Sequence, residues 1–315
     1  MRIFRHDTVA AAERGAVVAI GNFDGVHLGH QAVIGETGRI ARAQNAPLAV
    51  LTFEPHPRRV FRPDDPPFRL TPFRAKAQAI EALGVDLLVS LHFDHAFAQL
   101  SAEDFIDQVL VRHLGVRHVA IGFDFTFGHG RRGTATLLQA EGRARGFAVT
   151  VIEPVTGAGG AVYSATRIRE HLVAGRPRDA AALLGRFWEI EGRVEHGDQR
   201  GRGIGFPTAN LALDDYLRPA AGVYAVRAAV ETEGGVLWHD GVANLGRRPT
   251  FGGSDLRLEV HLFDFDADLY GRHLRVALIE HLRPEQKFAG IDALKVQIAA
   301  DAAQARAILK TTPAF

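Results

Sequence analysis

The chain has 315 residues, a formal net charge of +1 from 37 Lys and Arg against 36 Asp and Glu, and no cysteine. Such a length predicts two domains, and the missing cysteines exclude disulfides, thiolate zinc sites and a cysteine nucleophile, in keeping with a reducing cytoplasm. Balanced charge argues against broad nucleic-acid binding, no window supplies the roughly 20 apolar residues of a membrane helix, and the N-terminus has no apolar signal-peptide core. In chain order, apolar runs at residues 16–23, 48–53, 85–93, 118–125 and 148–155 read as buried strands. Helical patterns separate them at 29–45, 72–83, 102–114 and 135–146, the third opened by Ser101 with an acid three residues on. Strand–helix alternation with near-continuous apolar strands predicts a doubly wound parallel sheet, whose ligands bind beyond the carboxyl ends of the strands. Helical stretches come next at 164–174 and 177–185, and the texture then changes. Short alternating runs at 188–194, 222–230, 236–242, 256–263 and 273–282 predict a small antiparallel barrel or sandwich, closed by a helix at 291–309. The expected domains are 1–183 and 184–315.

The stretch GNFDGVHLGHQ, residues 21–31, leaves the first long strand and turns helical. Gly25 and Gly29 let the backbone approach a bound group, and a helix starting near Gly29 offers unsatisfied N–H groups to an anion. His27 and His30 share this turn. They suit hydrogen bonding to phosphate oxygens, chelation of zinc, or a purely structural role in the turn. Asp24 is expected to fix the turn. At 123–128, Phe-Asp-Phe-Thr-Phe-Gly ends a strand, either as aromatic core packing or as the rim of a ligand site.

The stretch GDQRGRGIGFPTANL, residues 197–211, carries four glycines and two arginines but neither a Walker A loop nor a Rossmann glycine pattern. It reads as a loop entering a strand, although glycine amides can cradle phosphate and a Thr hydroxyl with an Asn carbonyl can supply oxygens to Mg²⁺. Residues 256–262 alternate strictly, which sets Arg257, Glu259 and His261 opposite the apolar stripe. An acid on such a face is ordinarily just solvated.

Together these motifs resemble a known family. GNFDGVHLGHQ is similar to the H-x-G-H signature of the nucleotidyltransferase superfamily, and in its fuller form to the adenylyltransferase half of prokaryotic bifunctional riboflavin kinase/FAD synthetases. TFEPHP (52–57), LTPFRAK (70–76), AQLSAEDFI (98–106), IGFDFTFGHGRRG (121–133) and YSATRIREHL (163–172) match in order. GFPTAN (205–210) resembles the G-x-P-T-A-N motif of riboflavin kinases, with GVANLGRRPTFGG (241–253), DADLYG (266–271) and LRPEQKF (282–288) beside it. The resemblance implies an N-terminal Rossmann-like nucleotidyltransferase domain and a C-terminal riboflavin kinase-like β-barrel with a terminal helix.

Its implied activities are phosphorylation of riboflavin to FMN in the C-terminal domain, and adenylylation of FMN to FAD with release of pyrophosphate in the N-terminal one. ATP is co-substrate, Mg²⁺ the cofactor, and FMN and FAD product ligands. In the first domain His27 and His30 are the implied catalytic residues. Gly21, Phe23, Gly29, Ser164, Thr166 and Arg167 would bind ATP phosphates, and Asp124, Phe125 and Phe127 the flavin. The chain departs from the pattern at Ala165, where a second serine is usual, and at Thr126, where a basic residue is common; Arg131 or Arg132 could replace the latter. In the second domain Glu259 is the implied base toward the riboflavin 5′-hydroxyl and Thr208 and Asn210 the ligands to Mg²⁺. Gly203 and Gly205 would contact phosphate there, and Arg283, Glu285 and Phe288 the isoalloxazine. The implied partners are ATP, riboflavin and FMN, without nucleic acid or membrane, in a cytoplasmic enzyme compatible with homo-oligomers. The alternative is a riboflavin kinase whose nucleotidyltransferase domain is inactive or regulatory. A non-catalytic flavin sensor has no use for Glu259, and a pantetheine-phosphate type of adenylyltransferase leaves the second domain unexplained.

Overall fold

The computed structural model describes residues 1–5, 14–157, 160–196, 205–232, 235–250 and 253–313. They form two compact units, Met1–Pro66 with Thr71–Ser164, and Pro67–Leu70 with Ala165–Phe315. The first carries an all-parallel sheet in the order β1-β4-β3-β2-β5-β6, from β1 (Arg2–Arg5), β2 (Val17–Ile20), β3 (Leu48–Glu54), β4 (Leu87–His92), β5 (His118–Gly122) and β6 (Ala148–Ile152). Between the strands run α1 (Leu28–Ala43), α2 (Pro57–Phe61), α3 (Phe73–Glu81), α4 (Ala102–Asp104, continuing with π-helical winding through Phe105–His113) and α5 (Ala135–Arg145).

Alternate residues of the central strand feed two cores. Val18 and Ile20 join Phe105, Ile106, Leu110 and Leu138 on one face, and Val17 and Ala19 join Ile34, Ile40, Ala77 and Ile80 on the other. Both faces are therefore covered by helices, the doubly wound arrangement that the apolar strands predict. Helix ends follow local chemistry. Ser101 Oγ accepts from Asp104 N at 2.9 Å to open α4, Thr134 Oγ1 accepts from Leu137 N at 3.2 Å to open α5, and Gly146 closes α5 in the left-handed region. β1 was not legible as an apolar run, because its four residues are mostly exposed and have arginine at both ends.

His118 opens β5 in a polar contact that suits the neutral imidazole. Gln44 Nε2 lies 3.1 Å from His118 Nδ1, and His118 Nε2 lies 2.8 Å from Thr150 Oγ1, so Nδ1 accepts from the amide when Nε2 carries the proton. Burial holds its pKa below the ordinary 6.5. The unfolded chain therefore binds this proton more readily, so the stabilisation is complete above about pH 6.5 and declines as pH falls below it. The thermal unfolding midpoint of the first unit is expected to fall between about pH 7.5 and about pH 5.5, and to fall less in His118→Gln. An equal fall in both proteins excludes His118 as the titrating group.

The second unit begins with α6 (Ala165–Val173) and α7 (Pro177–Leu184) and continues as β7 (Trp188–Arg193), β8 (Ala209–Ala212), β9 (Gly222–Thr232), β10 (Gly235–Thr250), β11 (Gly253–Leu262), β12 (His273–Arg283) and α8 (Ile291–Thr311). The strands pair antiparallel in the order β7-β12-β9-β10-β11-β8, and a bridge between Glu195 and Asn210 brings the two ends together into a nearly closed barrel. Leu211, Val226, Leu245, Leu258 and Val276 fill its interior. Ile168, Leu172, Ala180 and Leu184 join the same core, so α6 and α7, which lie almost wholly before residue 184, pack with the barrel. Leu70 joins it too, and its carbonyl accepts from the indole N–H of buried Trp188 at 2.7 Å. On the outside of the barrel, Ala305 and Leu309 of α8 cover Val223, Ala225, Val242 and Ile279. Arg227 fastens the end of that helix, donating to the carbonyls of Leu309 and Thr312 at 2.9 and 2.8 Å while paired with Asp240. The last carbonyls of a helix lack the i+4 donors of its interior, and Leu309 O has only the capping Thr312 N–H at 3.2 Å, so a guanidinium is an apt further partner.

Candidate active sites

The order of the parallel sheet reverses between β2 and β5, which places a ligand crevice at their carboxyl ends. The chain leaves β2 there along a tightly bent path, with Phe23, Gly25 and Val26 at φ of +48°, +85° and +43°. Two anchors hold this path. Buried Asp24 accepts from Thr71 N through Oδ1 at 2.9 Å, and Gly25 N donates to Thr71 Oγ1 at 2.8 Å. From β3, Thr52 Oγ1 donates to Asn22 O at 3.2 Å and accepts from the fully buried Lys76 ammonium, itself 2.8 Å from Glu54. Asp24 thus fixes the turn as expected; Thr52, Thr71 and Lys76 lie in the matching motifs at 52–57 and 70–76, but their support of this turn was not legible, since their partners are distant in the chain.

His27 caps α1, its Nδ1 accepting from His30 N at 3.3 Å. The two imidazoles stack with centroids 3.6 Å apart and 20° between planes, and Phe23 sets its edge against His30 at 5.2 Å. Gly29 permits this stack. A Cβ there would stand 3.2 Å from the His27 ring and 3.4 Å from Cβ of Tyr163, a neighbour sequence reasoning did not single out. Gly21 is likewise covered by the Phe23 ring at 3.2 Å. The first turn of α1 has no acidic residue, so its positive end faces the crevice uncompensated. Among the described residues no three His, Cys, Asp or Glu side chains are placed to hold a metal ion, which disfavours the zinc reading. Gly21, Phe23, His27, Gly29 and His30 are brought together; Ser164 closes the same unit, while Thr166 and Arg167 lie on α6 in the second.

Beyond β5, Phe127 is 7% exposed, packed 5.4 Å from Phe105 and parallel to Phe125 at 5.6 Å. Its ring occupies the space a Cβ on Gly133 would need, so Phe127 has a packing role. Phe125 is half-buried, and Asp124 and Thr126 are exposed. Arg131 Nε donates to Thr126 Oγ1 at 2.9 Å, which puts a guanidinium at the place where the family pattern has a basic side chain.

In the barrel, Glu259 of β11 is in register with Asn210 of β8 on one side and Asn244 of β10 on the other. Directly paired residues share a face with Cβ atoms about 5 Å apart, so the three side chains form one row on the outside, Leu258 pointing inward. Asn210 is 3% exposed; its Nδ2 donates to Thr208 O at 3.4 Å, and its Oδ1 accepts no hydrogen bond among the described residues. A buried acceptor left so costs about 1–3 kcal/mol. An amide oxygen beside a carboxylate fits a hard cation, and Thr208, half-buried two residues earlier, can add its hydroxyl. His261 Nδ1 lies 2.9 Å from Pro207 O, tying this segment to β11. Gly205 is exposed with φ +87°, and Gly203 lies outside the described residues. A Cβ on Gly246 would overlap the Glu285 carboxylate and stand 3.0 Å from Asn244 Nδ2, so the segment after β12 reaches the end of the row. Phe288 lies 5.8 Å from the Arg283 guanidinium. Asn244 was missed because only the strand register shows that it flanks Glu259.

Two family models match in the order of the two units, FAD synthetase over residues 9–166 and riboflavin kinase over 184–309. The bifunctional riboflavin kinase/FMN adenylyltransferase of Escherichia coli K12 is 44% identical over 308 residues, 97% of each chain. Its namesake in Bacillus subtilis 168 is 40% identical over 307 residues, covering 95% of this chain and 94% of that one. A crystal structure from Streptococcus pneumoniae, described as a macrolide-efflux protein, matches with TM-score 0.86 and 30% identity over 99% of this chain and 100% of that one. Here no helix among the described residues is long and apolar enough to cross a membrane. With both family models in one chain and such relatives over nearly its full length, the chain belongs to the bifunctional riboflavin kinase/FMN adenylyltransferases.

Proposed function

We propose that this chain converts riboflavin to FMN and FMN to FAD at separate sites in the cytoplasm, with ATP as co-substrate of both steps and no nucleic-acid partner. Residues 184–315 carry the kinase and residues 1–183 the adenylyltransferase. The observation that carries the reading is the row Asn210–Glu259–Asn244, which sets a carboxylate next to a buried amide oxygen that accepts no hydrogen bond among the described residues.

In the kinase, Glu259 accepts the proton of the riboflavin 5′-hydroxyl as its oxygen attacks the γ-phosphorus of ATP and ADP leaves. The role demands hydrogen-bond reach rather than an unusual pKa. Thr208 and Asn210 would hold Mg²⁺, which when bound neutralises charge on the phosphates and aligns them. Gly203 and Gly205 line the phosphates, and Glu285 and Phe288 the isoalloxazine side.

In the adenylyltransferase, an FMN phosphate oxygen attacks the α-phosphorus of ATP in line and pyrophosphate leaves. The nucleophile is already an anion, so positioning and charge stabilisation suffice. His27 and His30 donate to the phosphate oxygens from the positive end of α1, with Gly21, Phe23 and Gly29 shaping the turn. Ser164, Thr166 and Arg167 bind the β- and γ-phosphates, and Arg131 takes the FMN phosphate in the place of a basic residue at 126. Asp124 and Phe125 meet the flavin, with Phe127 behind them.

Product chromatography with Mg-ATP and either riboflavin or FMN tests this. FAD from both tubes is the expected result. FMN from riboflavin with no FAD from FMN favours a kinase whose first unit is silent, the reading that Ala165 and Thr126 would support.

A further inference from the structure

The buried residues of α8 are Asp301, Ala305 and Leu309, a single stripe at helical spacing. Two of them meet aliphatic side chains of the barrel, but the third, where packing alone asks for another aliphatic residue, is a carboxylate only 3% exposed. Arg283, the last residue of β12, grips it with both arms. Nε lies 2.9 Å from Oδ1 and Nη2 lies 2.7 Å from Oδ2, while Gln297 Nε2 donates to Oδ1 at 2.9 Å. The remaining guanidinium nitrogen, Nη1, donates to Pro284 O at 3.0 Å. Burying such a pair contributes little net stability, because desolvation offsets the attraction and apolar replacements are often as stable. A fork on a carboxylate does supply direction, which an aliphatic contact cannot.

Direction matters for the segment that begins at Pro284. The Arg283 carbonyl and Pro284 press on Gly222, where a Cβ would overlap them. Glu285 then sets its carboxylate on Gly246 beside Asn244, the neighbour of Glu259, and Phe288 returns to the guanidinium at 5.8 Å. We infer that Asp301 is a positioning residue for riboflavin phosphorylation: through Arg283 it sets residues 284–288 beside the Asn210–Glu259–Asn244 row, and Arg283 acts through that segment rather than by touching the flavin. The inference rests on the kinase reading of the row.

The test compares the full-length protein with Asp301→Asn and with the double variant Asp301→Leu/Arg283→Met, which replaces the pair by apolar side chains and keeps the helix seated. Asp301→Asn is expected to raise KM for riboflavin by about tenfold or more with kcat within about threefold, while KM for ATP and FAD formation from supplied FMN stay unchanged. The double variant is expected to melt at or above the temperature of the unsubstituted protein, yet show the same raised KM and the same weakened riboflavin binding by flavin fluorescence. A double variant with unaltered riboflavin KM overturns the inference, since the pair would then be structural alone. The underlying reading fails differently: full FMN formation by Glu259→Gln would overturn the assignment of the row and the clamp with it.

Discussion

Glu259→Gln is expected to lower FMN formation from riboflavin by about 100- to 10,000-fold, the usual contribution of a positioned general base. The substitution keeps the size of the side chain and its place between Asn210 and Asn244, so the β8–β11–β10 pairing has no reason to change. What it removes is the carboxylate proposed to take the hydroxyl proton. FAD formation from supplied FMN supplies the control within the same molecule, because His27 and His30 stand in the other compact unit. Rates from riboflavin and from FMN, measured side by side on one preparation, decide the matter. Loss of both in a folded protein would rule out independent sites, and loss of neither would remove Glu259 from the mechanism.

Replacing His27 and His30 together by alanine should have the reverse effect. Withdrawing one preorganised donor from a developing oxyanion costs about 100- to 1,000-fold, so loss of FAD formation by at least that factor is expected with FMN formation intact. His27 also caps α1, and losing a cap costs about 0.5–2 kcal/mol, so part of any effect could arise from a frayed helix. His27→Asn separates the two contributions. Asparagine is a good cap and is expected to return the unfolding midpoint toward its original value, whereas FAD formation should remain at least about tenfold down. A variant that regains both stability and rate would make His27 a cap and nothing more.

The sequence exposed what local patterns encode. Five apolar runs separated by helical periods give the parallel sheet, and glycines with two histidines at a strand end give the turn proposed to bind phosphate. The capping serine of α4 was legible for the same reason, since its partner is three residues away. What stayed hidden depends on pairings that no short window contains. Asn244 joins the row at Glu259 only through the register of β10 on β11, and Lys76 supports the turn at Asn22 only because α3 packs beneath β3. Phe127 and Arg283 illustrate the opposite hazard. Both sit within motifs that imply flavin contact, yet Phe127 is packed against Phe105 and the Arg283 guanidinium is engaged by Asp301.

The placement of Leu70 has a consequence for how the protein is made. Its side chain completes the core of a unit whose other residues begin at Ala165, and its carbonyl awaits the indole N–H of Trp188. During vectorial synthesis every residue of the first unit has been added by Ser164, so that unit can close before the barrel residues that pack with Leu70 exist. The apolar side chain of Leu70 is then open to chaperones, or to neighbouring nascent chains, until the barrel strands arrive. Both tryptophans of the chain, Trp188 and Trp238, belong to the later unit, so indole emission stays silent while the first unit forms. Its change marks the moment at which the waiting segment is taken up.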